Sequence, residues 1–383
     1  MVIKNLKKTA QRILKAIKNK EKIVLYGDAD LDGVSSVIIL KEAILNLGGS
    51  TFSGYPISQI YFPDREEEGY GVTKEAIEFL KNQSPALLIS LDCGISNFEE
   101  IKELNKFGFK VIVIDHHEIL DELPEAEIVI DPKQKGDKSP FKYLATAGII
   151  FKLAAEILKG KFSDSLRKNF LELVAIATLA DMMPQVEENQ ILIEEGLNSL
   201  RDSWRPGLRV FLEMGDFKNP LELAHKITST LNASEKVDHL NETYLLLTER
   251  DVEKAKELAE NLSEKSYQKH LEIKEIVNEI EEEIFKEGNE KIIFKGSKNW
   301  KMSFLGSVAS RICQKYQKPT FLFKIGDSES QGAVRVPEGI DSVGLMKKCK
   351  EHLITFGGHP PASGFRIKNA NLEKFKRCLI NQL

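Results

Sequence analysis

Five short apolar runs alternate with helix-like segments in the first third of the chain, and this alternation limits the fold more than any other feature. The runs are KIVLYG, SQIYFP, ALLISLD, KVIVID and AEIVID, and they begin at Lys22, Ser58, Ala86, Lys110 and Ala126. They are almost continuously apolar, as strands covered on both faces of a parallel sheet are. Helical spacing of apolar residues lies between several of them, at residues 34–47, 72–81 and 97–107. The pattern predicts an open, mainly parallel α/β sheet.

The remainder of the chain changes character twice. Longer helices are predicted at 142–158 and 166–180, and residues 221–287 then become charged and helical, which predicts an amphipathic connector that ends at Gly288 and Asn289. Further strand candidates, KIIFKG, TFLFKIG, SQGAVRV and GFRIK, come after residue 290. Helix-like segments at 304–316 and 341–352 separate them. The sequence therefore predicts a first α/β domain at 1–220, a helical connector at 221–287 and a smaller α/β domain at 288–383.

Composition excludes several classes of protein but does not identify the function of this one. The 383 residues suffice for two domains, and the net charge of -4 provides no overall basic field, although a local basic patch is compatible with it. The four cysteines are scattered without a C-x-x-C pair, which predicts neither a disulfide framework nor a zinc knuckle and favours a reducing cytoplasm. Because no run of about 18 apolar residues occurs, no membrane span is expected.

Acidic residues and histidines collect where the predicted strands end. GDADLDG follows the first run, Asp92 ends the third, DHH follows the fourth, and LAD ends a helical segment; the residues are Asp28, Asp30, Asp32, Asp92, Asp115, His116, His117 and Asp181. Ordinary turn and N-cap roles explain the first cluster equally well when it is taken alone. Parallel strands, however, bring their carboxyl ends to one edge of a sheet, where such folds bind ligands. Carboxylates and imidazoles without thiols favour Mn²⁺ or Mg²⁺, and the number of ligands favours two ions roughly 3.5 to 4 Å apart.

The same motifs resemble a known family. DADLDG, LDCGIS, DHHE and LADMMP, in this order, resemble the successive motifs of the DHH phosphoesterase superfamily, and GGHPPASGF resembles the GGH motif of its associated C-terminal domain. PDREEEGYG at 63–71 and FLGSVASRICQKYQKP at 304–319 are similar to segments of the RecJ family within it. The resemblance covers nearly the whole chain. It implies a DHH catalytic domain at 1–220 and a DHH-associated, substrate-binding domain at 288–383.

The resemblance also assigns roles to residues of the acidic cluster. It implies that two ions are held by Asp30, Asp32, Asp92, His116 and Asp181, with Asp92 as the bridge. Asp28 stands where relatives have a histidine, so it is either a ligand or a residue that orients a neighbour. Asp115 is expected to fix the tautomer of a histidine, and His117 to face the scissile phosphate as a stabiliser or proton donor.

Substrate contacts follow from the resemblance in the same way. Arg65 and Arg335 match positions that bind substrate phosphates, and the glycine pair Gly357 and Gly358 with His359 is expected to approach an anion. Tyr70 is expected either to stack on a base or to lie in the core.

Two positions depart from the family pattern. Lys236 stands in place of an arginine, which predicts that a bidentate phosphate contact is reduced to a point charge. Val336 stands where relatives often have a hydroxyl residue, which predicts the loss of one phosphate hydrogen bond.

Taken together, the resemblance implies a cytoplasmic two-metal phosphodiesterase that degrades single-stranded DNA from the 5′ end to mononucleotides, in DNA repair or recombination. A nanoRNase or cyclic-dinucleotide phosphodiesterase and a catalytically weak replication-fork binding protein stay as alternatives. The chain stops soon after GGHPPASGF, where larger RecJ proteins continue into an OB-fold. We therefore expect that the chain lacks this fold, which leaves room for a single-strand-binding protein or a helicase as partner. A monomer is favoured, although the residues leave the oligomeric state open. The choice between DNA and RNA and the physiological metal are left open by the residues.

Overall fold

The computed structural model describes residues 3–48, 56–119, 122–215, 217–287 and 290–383, with the exception of the side chains of 286 and 287. The chain divides into two compact units, Met1–Ser266 and Tyr267–Leu383. Each unit has a sheet and a hydrophobic core of its own.

The first unit contains two sheets and most of the helices. Its strands are β1 Ile23–Gly27, β2 Ile57–Tyr61, β3 Leu87–Leu91, β4 Lys110–Ile114, β5 Ile128–Ile130, β6 Lys236–Val237 and β7 Leu240–Asn241. Its helices are α1 Leu6–Lys18, α2 Leu31–Asn46, α3 Lys74–Leu80, α4 Phe98–Lys106, α5 Thr146–Leu158, α6 Asp164–Ala180, α7 Glu187–Leu200, α8 Pro206–Glu213, α9 Pro220–Leu231 and α10 Glu242–Thr248. Short 3₁₀ helices lie at Lys81–Gln83 and Lys159–Lys161. Helix α11, Val252–Glu287, crosses the boundary between the units.

The main sheet of this unit is parallel and is buried on both faces. Its strand order is β2-β1-β3-β4-β5, and every neighbouring pair is parallel. Alternate side chains of β1 enter two different cores: Ile23 and Leu25 pack with α2, α5 and α6, whereas Val24 and Tyr26 pack with α3 and α4. Helices on both faces explain why the strands read as continuous apolar runs. The predicted open parallel α/β sheet is confirmed.

The second unit is a smaller α/β structure with a mixed sheet. Its strands are β8 Ile293–Ser297, β9 Thr320–Ile325, β10 Glu329–Arg335, β11 Leu353–His359 and β12 Ala362–Lys368, in the order β11-β12-β10-β9-β8. Only the pair β8 and β9 is parallel among these neighbours. Its helices are α12 Met302–Tyr316, α13 Ser342–Lys347 and α14 Leu372–Gln382, with 3₁₀ turns at Lys350–His352 and Asn369–Asn371. The smaller C-terminal α/β domain is thus confirmed.

The boundary between the units lies inside the predicted connector. Residues 221–287 include most of α9, the β6–β7 hairpin and α10. They also include the 36 residues of α11, which correspond to the long amphipathic helix predicted here. Gly288 and Asn289, the predicted end of the connector, lie outside the described residues. The division into 1–220, 221–287 and 288–383 stays a prediction.

One expectation about cysteine was wrong. Cys349 and Cys378, 29 residues apart, form a disulfide with a Cα separation of 6.0 Å, while Cys93 and Cys313 are buried free thiols. Their spacing carries no sequence signal, because the pair is brought together by the packing of α14 near the 3₁₀ turn at Lys350–His352. The cysteine pattern consequently gives no argument for a compartment.

The prediction about membrane spans agrees with the structure. Within the part of the chain that the structure describes, no helix combines the length and apolar character needed to cross a bilayer.

The turn between β1 and α2 depends on a glycine with no room for a side chain. A Cβ on Gly33 would lie 2.7 Å from the backbone nitrogen of Asp28 and closer still to its carbonyl oxygen. We predict that Gly33→Ala lowers the free energy of unfolding by about 1 to 3 kcal/mol, since the backbone of the turn must shift. Denaturant titration measures this. Gly160→Ala is the control, because a Cβ there meets no atom within 4 Å; equal stability of the two variants would contradict the prediction.

Candidate metal centre and active site

Three aspartates extend the parallel sheet by one residue each. Asp28, Asp92 and Asp115 come directly after β1, β3 and β4. Their backbone N–H groups donate to the carbonyl oxygens of the adjacent strands at 3.1, 2.9 and 3.0 Å; the acceptors are Leu91, Ile114 and Ile130. The hydrogen-bond ladder therefore fixes the three motifs side by side at the carboxyl edge, as the sequence predicted. Asp92 has a φ of 65°, a left-handed conformation that non-glycine residues seldom adopt.

The first group of converging ligand atoms consists of Asp32, His116 and Asp181, and these atoms all lie within 4.8 Å of one another. Nε2 of His116 is 3.3 Å from Oδ2 of Asp181 and 3.8 Å from Oδ2 of Asp32. Burial, and next the nearby His117, hold the pKa of His116 well below its usual value. His116 is therefore neutral, which is the form that binds a metal ion.

The second group consists of Asp28, Asp30 and Asp92, whose ligand atoms also lie within 4.8 Å of one another. Oδ1 of Asp92 lies 3.2 Å from Nε2 of His116, a member of the first group. Asp92 thus adjoins both groups, which is the position required of a bridging carboxylate.

Three carboxylates of the two groups, those of Asp32, Asp92 and Asp181, are crowded by other carboxylates. Burial, and next the neighbouring Asp30, raise the pKa of Asp32 to about 7, and burial with nearby carboxylates raises the pKa of Asp92 and Asp181 well above the usual range. Oδ2 of Asp181 is buried and makes no hydrogen bond among the described residues. A bound cation would allow these buried carboxylates to stay ionised at neutral pH. Oxygen ligands with a single imidazole fit Mn²⁺ or Mg²⁺.

The amino end of α5 holds two of these carboxylates. Backbone N–H groups of Thr146 and Ala147 donate to the two oxygens of Asp32 at 2.7 and 2.8 Å, and the Thr146 hydroxyl donates to Oδ1 of Asp92 at 2.9 Å. A helix N-terminus suits negative charge because its first N–H groups have no partner within the helix. The sequence missed Thr146, because the helix was expected to begin at residue 142. If the helix had been predicted to begin at ATAG, residues 145–148, Thr146 would have been recognised in its first turn.

His117 is paired with Asp115. Its Nδ1 lies 2.7 Å from Oδ1 of Asp115, whose oxygens also accept the backbone N–H groups of His116 at 2.7 Å and Ile95 at 3.0 Å. Burial alone would lower the pKa of His117, but the Asp115 carboxylate raises it to about 9. Conversely, burial would raise the pKa of Asp115, whereas the contact with His117 holds it below its usual value. Asp115 therefore orients His117 and favours its protonated form.

Arg65 and Tyr70 approach the same carboxylates from the segment after β2. The guanidinium of Arg65 contacts both oxygens of Asp28, with Nε 3.3 Å from Oδ1, and its Nη2 is 2.9 Å from Oδ2 of Asp30. The hydroxyl of Tyr70 lies 3.2 Å from a ring nitrogen of His117 and 3.4 Å from the carbonyl oxygen of Asp92. Since Tyr70 is 48% exposed, it is not a core residue. Phosphate binding by Arg65 and base stacking by Tyr70 stay predictions.

Lys236 does not present an open point charge. Its ammonium contacts the carboxylate of Glu68 and lies 2.8 Å from the hydroxyl of Tyr61, and its side chain is 12% exposed. The departure from the family pattern at this position therefore creates a buried ion pair within the first unit.

The predicted phosphate-binding residues of the second unit lie at one end of its sheet. Arg335 on β10 and His359 on β11 are both paired with Ala362 of β12. Because directly paired residues of antiparallel strands point to the same face, their side chains share one face. Gly358 has a φ of 129°, which favours glycine, and Val336 is buried in the core of this unit.

The pairing of Asp115 with His117 leads to a prediction for the metal-free protein. Asp115→Asn should lower the pKa of His117 from about 9 toward the usual value of roughly 6.5. Because the folded pKa is raised, protonated His117 stabilises the fold fully below roughly pH 6.5, and this contribution is lost as the pH rises through about 9. NMR titration of the ring protons measures the shift. Asp238→Asn, which removes the carboxylate beside His239, is the control and should leave His117 unchanged; a wild-type His117 that titrates near 6.5 would contradict the assignment.

Comparisons with known proteins agree with this geometry. The model of the DHH family, N-terminal domain, matches residues 22–178, and that of the DHHA1 domain matches residues 289–383. The single-stranded-DNA-specific exonuclease RecJ of Bacillus subtilis is 32% identical, over 100% of this chain and 48% of its own length. RecJ of Thermus thermophilus is 28% identical, over 98% of this chain and 54% of its own length. The chain thus spans about half the length of these two relatives.

Solved structures show the same fold. A crystal structure of exonuclease RecJ bound to manganese has a TM-score of 0.77 and 26% identity, and the match covers 100% of this chain and 95% of that one. The crystal structure of RecJ from Thermus thermophilus in complex with Mn²⁺ has a TM-score of 0.80 and 24% identity, and the match covers 100% of this chain and 55% of that one. At this identity the similarity shows the fold alone. With a DHH-family N-terminal domain followed by a DHHA1 domain, and similarity to RecJ over its whole length, this chain is a RecJ homologue of the DHH family.

Proposed function

We propose that this chain is a metal-dependent exonuclease that hydrolyses single-stranded DNA from the 5′ end and releases mononucleotides. The observation that carries the proposal is the pair of adjoining ligand groups that meet at Asp92, with His117 directly beside them. The relatives named above are single-stranded-DNA-specific exonucleases, which supports the substrate class. The polarity rests on this relationship alone.

Two divalent ions, Mn²⁺ or Mg²⁺, would be held by carboxylate oxygens and one imidazole. The residues proposed as ligands are Asp30, Asp32, Asp92, His116 and Asp181, and Asp28 is proposed either as a further ligand or as a residue that orients a neighbour. Bound ions would lower the pKa of a water molecule and draw negative charge from the phosphate oxygens. The RecJ structure with manganese supports this choice of ion, and the unsatisfied oxygen of Asp181 supports the position.

The protein groups beside the ligands would complete the chemistry. Protonated His117 would donate to a phosphoryl oxygen or to the leaving oxygen of the sugar, while Asp115 holds its ring in place. Thr146 would keep Asp92 in the orientation that serves both ligand groups. Tyr70, with an exposed ring and a hydroxyl near His117, would stack on the terminal base.

We propose that residues of the second unit also bind substrate phosphate. Arg335 supplies a charge suited to phosphate, and Gly357, Gly358 and His359 offer backbone and imidazole donors at the end of β11. We also propose a cytoplasmic monomer acting in DNA repair or recombination, with a single-strand-binding protein or helicase as partner. The single-stranded-DNA specificity of the relatives supports the role in DNA repair or recombination.

A substrate panel tests the proposal. Purified protein with Mn²⁺ would be given end-labelled single-stranded DNA, single-stranded RNA, duplex DNA and dinucleotides, each with one end blocked. We expect mononucleotides from single-stranded DNA with a free 5′ end and no products after chelation of the metal. Preferential cleavage of RNA or dinucleotides would overturn the substrate assignment, and activity in the presence of a chelator would overturn the metal dependence.

The position of Asp92 between the ligand groups distinguishes it from Asp28. Asp92→Ala should abolish hydrolysis because both groups lose a ligand, whereas Asp28→Ala should leave measurable activity, since both oxygens of Asp28 already contact Arg65. A reduction of about 10- to 100-fold is expected for Asp28→Ala, as for partners that orient ligands. Initial rates with Mn²⁺ measure both, and circular dichroism checks the fold. Complete loss in both variants would make Asp28 an essential ligand, and full activity of Asp92→Ala would contradict the two-ion site.

The shared face of Arg335 and His359 generates a separate prediction. Arg335→Ala and His359→Ala should each raise KM by an amount that corresponds to about 1.5 to 3 kcal/mol, because a charge-assisted phosphate hydrogen bond is lost. Bound manganese should not change. The control is Arg366→Ala, which removes an exposed arginine of β12 that pairs with Glu329. Loss of manganese from either variant, or an equal rise in KM for the control, would contradict the assignment.

A further inference from the structure

The segment 63–71, which carries Arg65 and Tyr70, is folded around one buried carboxylate. Oε1 of Glu68 accepts the backbone N–H of Asp64 at 2.9 Å, and Oε2 accepts the hydroxyls of Tyr61 at 3.0 Å and Thr73 at 2.7 Å. The backbone N–H of Glu68 donates to the carbonyl oxygen of Asp64 at 2.7 Å. The side chain of Glu68 is only 6% exposed. Its carboxylate therefore closes the turn between β2 and α3.

The cation that balances Glu68 comes from a distant part of the first unit. Lys236, at the start of β6 and 168 residues away in the chain, contacts Oε1 of Glu68, and its ammonium lies 4.3 Å from the centre of the Tyr61 ring. Burial alone would raise the pKa of Glu68, but the hydrogen bonds from Lys236, Asp64 and Thr73 hold it below its usual value. Removing one partner of such a pair leaves a buried charge without compensation.

The β6–β7 hairpin that carries Lys236 is itself fixed to both neighbouring segments. The backbone N–H of Phe62, at the end of β2, donates to the carbonyl oxygen of His239 at 3.0 Å. The side-chain amide of Asn241 donates to the carbonyl oxygen of Ala29 at 3.1 Å. Ala29 lies between Asp28 and Asp30, the two carboxylates that Arg65 contacts. One hairpin thus joins the turn that bears the acceptors to the segment that bears the guanidinium.

We propose that Glu68 and Lys236 are positioning residues for the nuclease site, because their buried ion pair fixes residues 63–71 so that Arg65 reaches Asp28 and Asp30. This inference rests on the proposed function. It gives a role to Lys236, which stands in place of the family arginine. The charge of Lys236 pairs with Glu68 inside the first unit and in this way positions Arg65.

A double-mutant cycle tests whether the pair acts through Arg65. Lys236→Met should reduce kcat/KM on single-stranded DNA by about 10- to 100-fold, as loss of a residue that orients a site does. In an Arg65→Gln background the same change should alter activity by no more than about twofold, since the group that it positions is already absent. Lys236→Arg, which keeps the charge, should restore most of the activity. Equal losses in both backgrounds, or no loss in Lys236→Met, would overturn the inference.

Hydrogen exchange of the metal-free protein provides a readout that does not depend on activity. Lys236→Met should accelerate amide exchange at residues 64–70 while β1, β3 and β4 keep their protection, because only the segment loses its anchor. The control is Arg12→Met, which breaks the ion pair of Arg12 with Glu21 and should change neither this exchange nor activity. Unchanged exchange at 64–70 in Lys236→Met would overturn the inference.

The two readouts separate this inference from the proposed function. If the wild-type chain degrades none of the substrates, the proposed function fails, and hydrogen exchange alone decides whether the pair fixes the segment. If the wild type is active but the activity of Arg65→Gln is below detection, hydrogen exchange at residues 64–70 again decides whether the ion pair fixes the segment.

Discussion

The organisation of the first unit depends on the concentration of buried carboxylates at the carboxyl ends of β1, β3 and β4. Two unit charges 4 Å apart interact by about 4 kcal/mol at an effective dielectric constant of about 20, so several buried aspartates repel strongly unless cations balance them. Burial, and next the neighbouring carboxylates, raise the pKa of Asp32 to about 7 and the pKa of Asp92 and Asp181 well above the usual range. The parallel ladder fixes the backbone positions of Asp28, Asp92 and Asp115 side by side. A pair of divalent ions is the simplest source of the missing charge.

Several surrounding groups, called supports here, stabilise the negative charge of these carboxylates. The amino end of α5 donates two backbone hydrogen bonds to Asp32, Arg65 contacts Asp28 and Asp30, and the carboxylate of Asp115 favours the protonated form of His117. The supports come from three segments: the amino end of α5, the segment after β2 and the residues after β4. Electrostatic preorganisation of this kind stabilises charge that develops during reaction without reorganisation of the protein. These contacts stabilise negative charge at the sheet edge, and the carboxylate of Asp115 favours the protonated form of His117.

The strands and the acidic edge could be predicted from sequence because both follow from local rules: buried parallel strands are continuously apolar, and their carboxyl ends meet. Apart from the pair of Asp115 and His117, which are two residues apart, the supports could not, because they join residues that are distant in the chain. Thr146 is 114 residues from Asp32, Arg65 is 37 from Asp28, and Lys236 is 168 from Glu68. The disulfide between Cys349 and Cys378 escaped prediction for the same reason. Contacts of this kind depend on tertiary packing, which a single sequence does not display.

The most direct test of the two-ion account is the number of ions that the folded chain binds. Calorimetric titration of metal-free protein with Mn²⁺ at pH 8, where the ligands are ionised more fully than at lower pH, measures it. The account predicts two ions per chain for the wild type and loss or severe weakening of both in Asp92→Asn, which keeps the size of the side chain but removes its charge. A stoichiometry of one, or two ions bound by Asp92→Asn with unchanged affinity, would contradict the account.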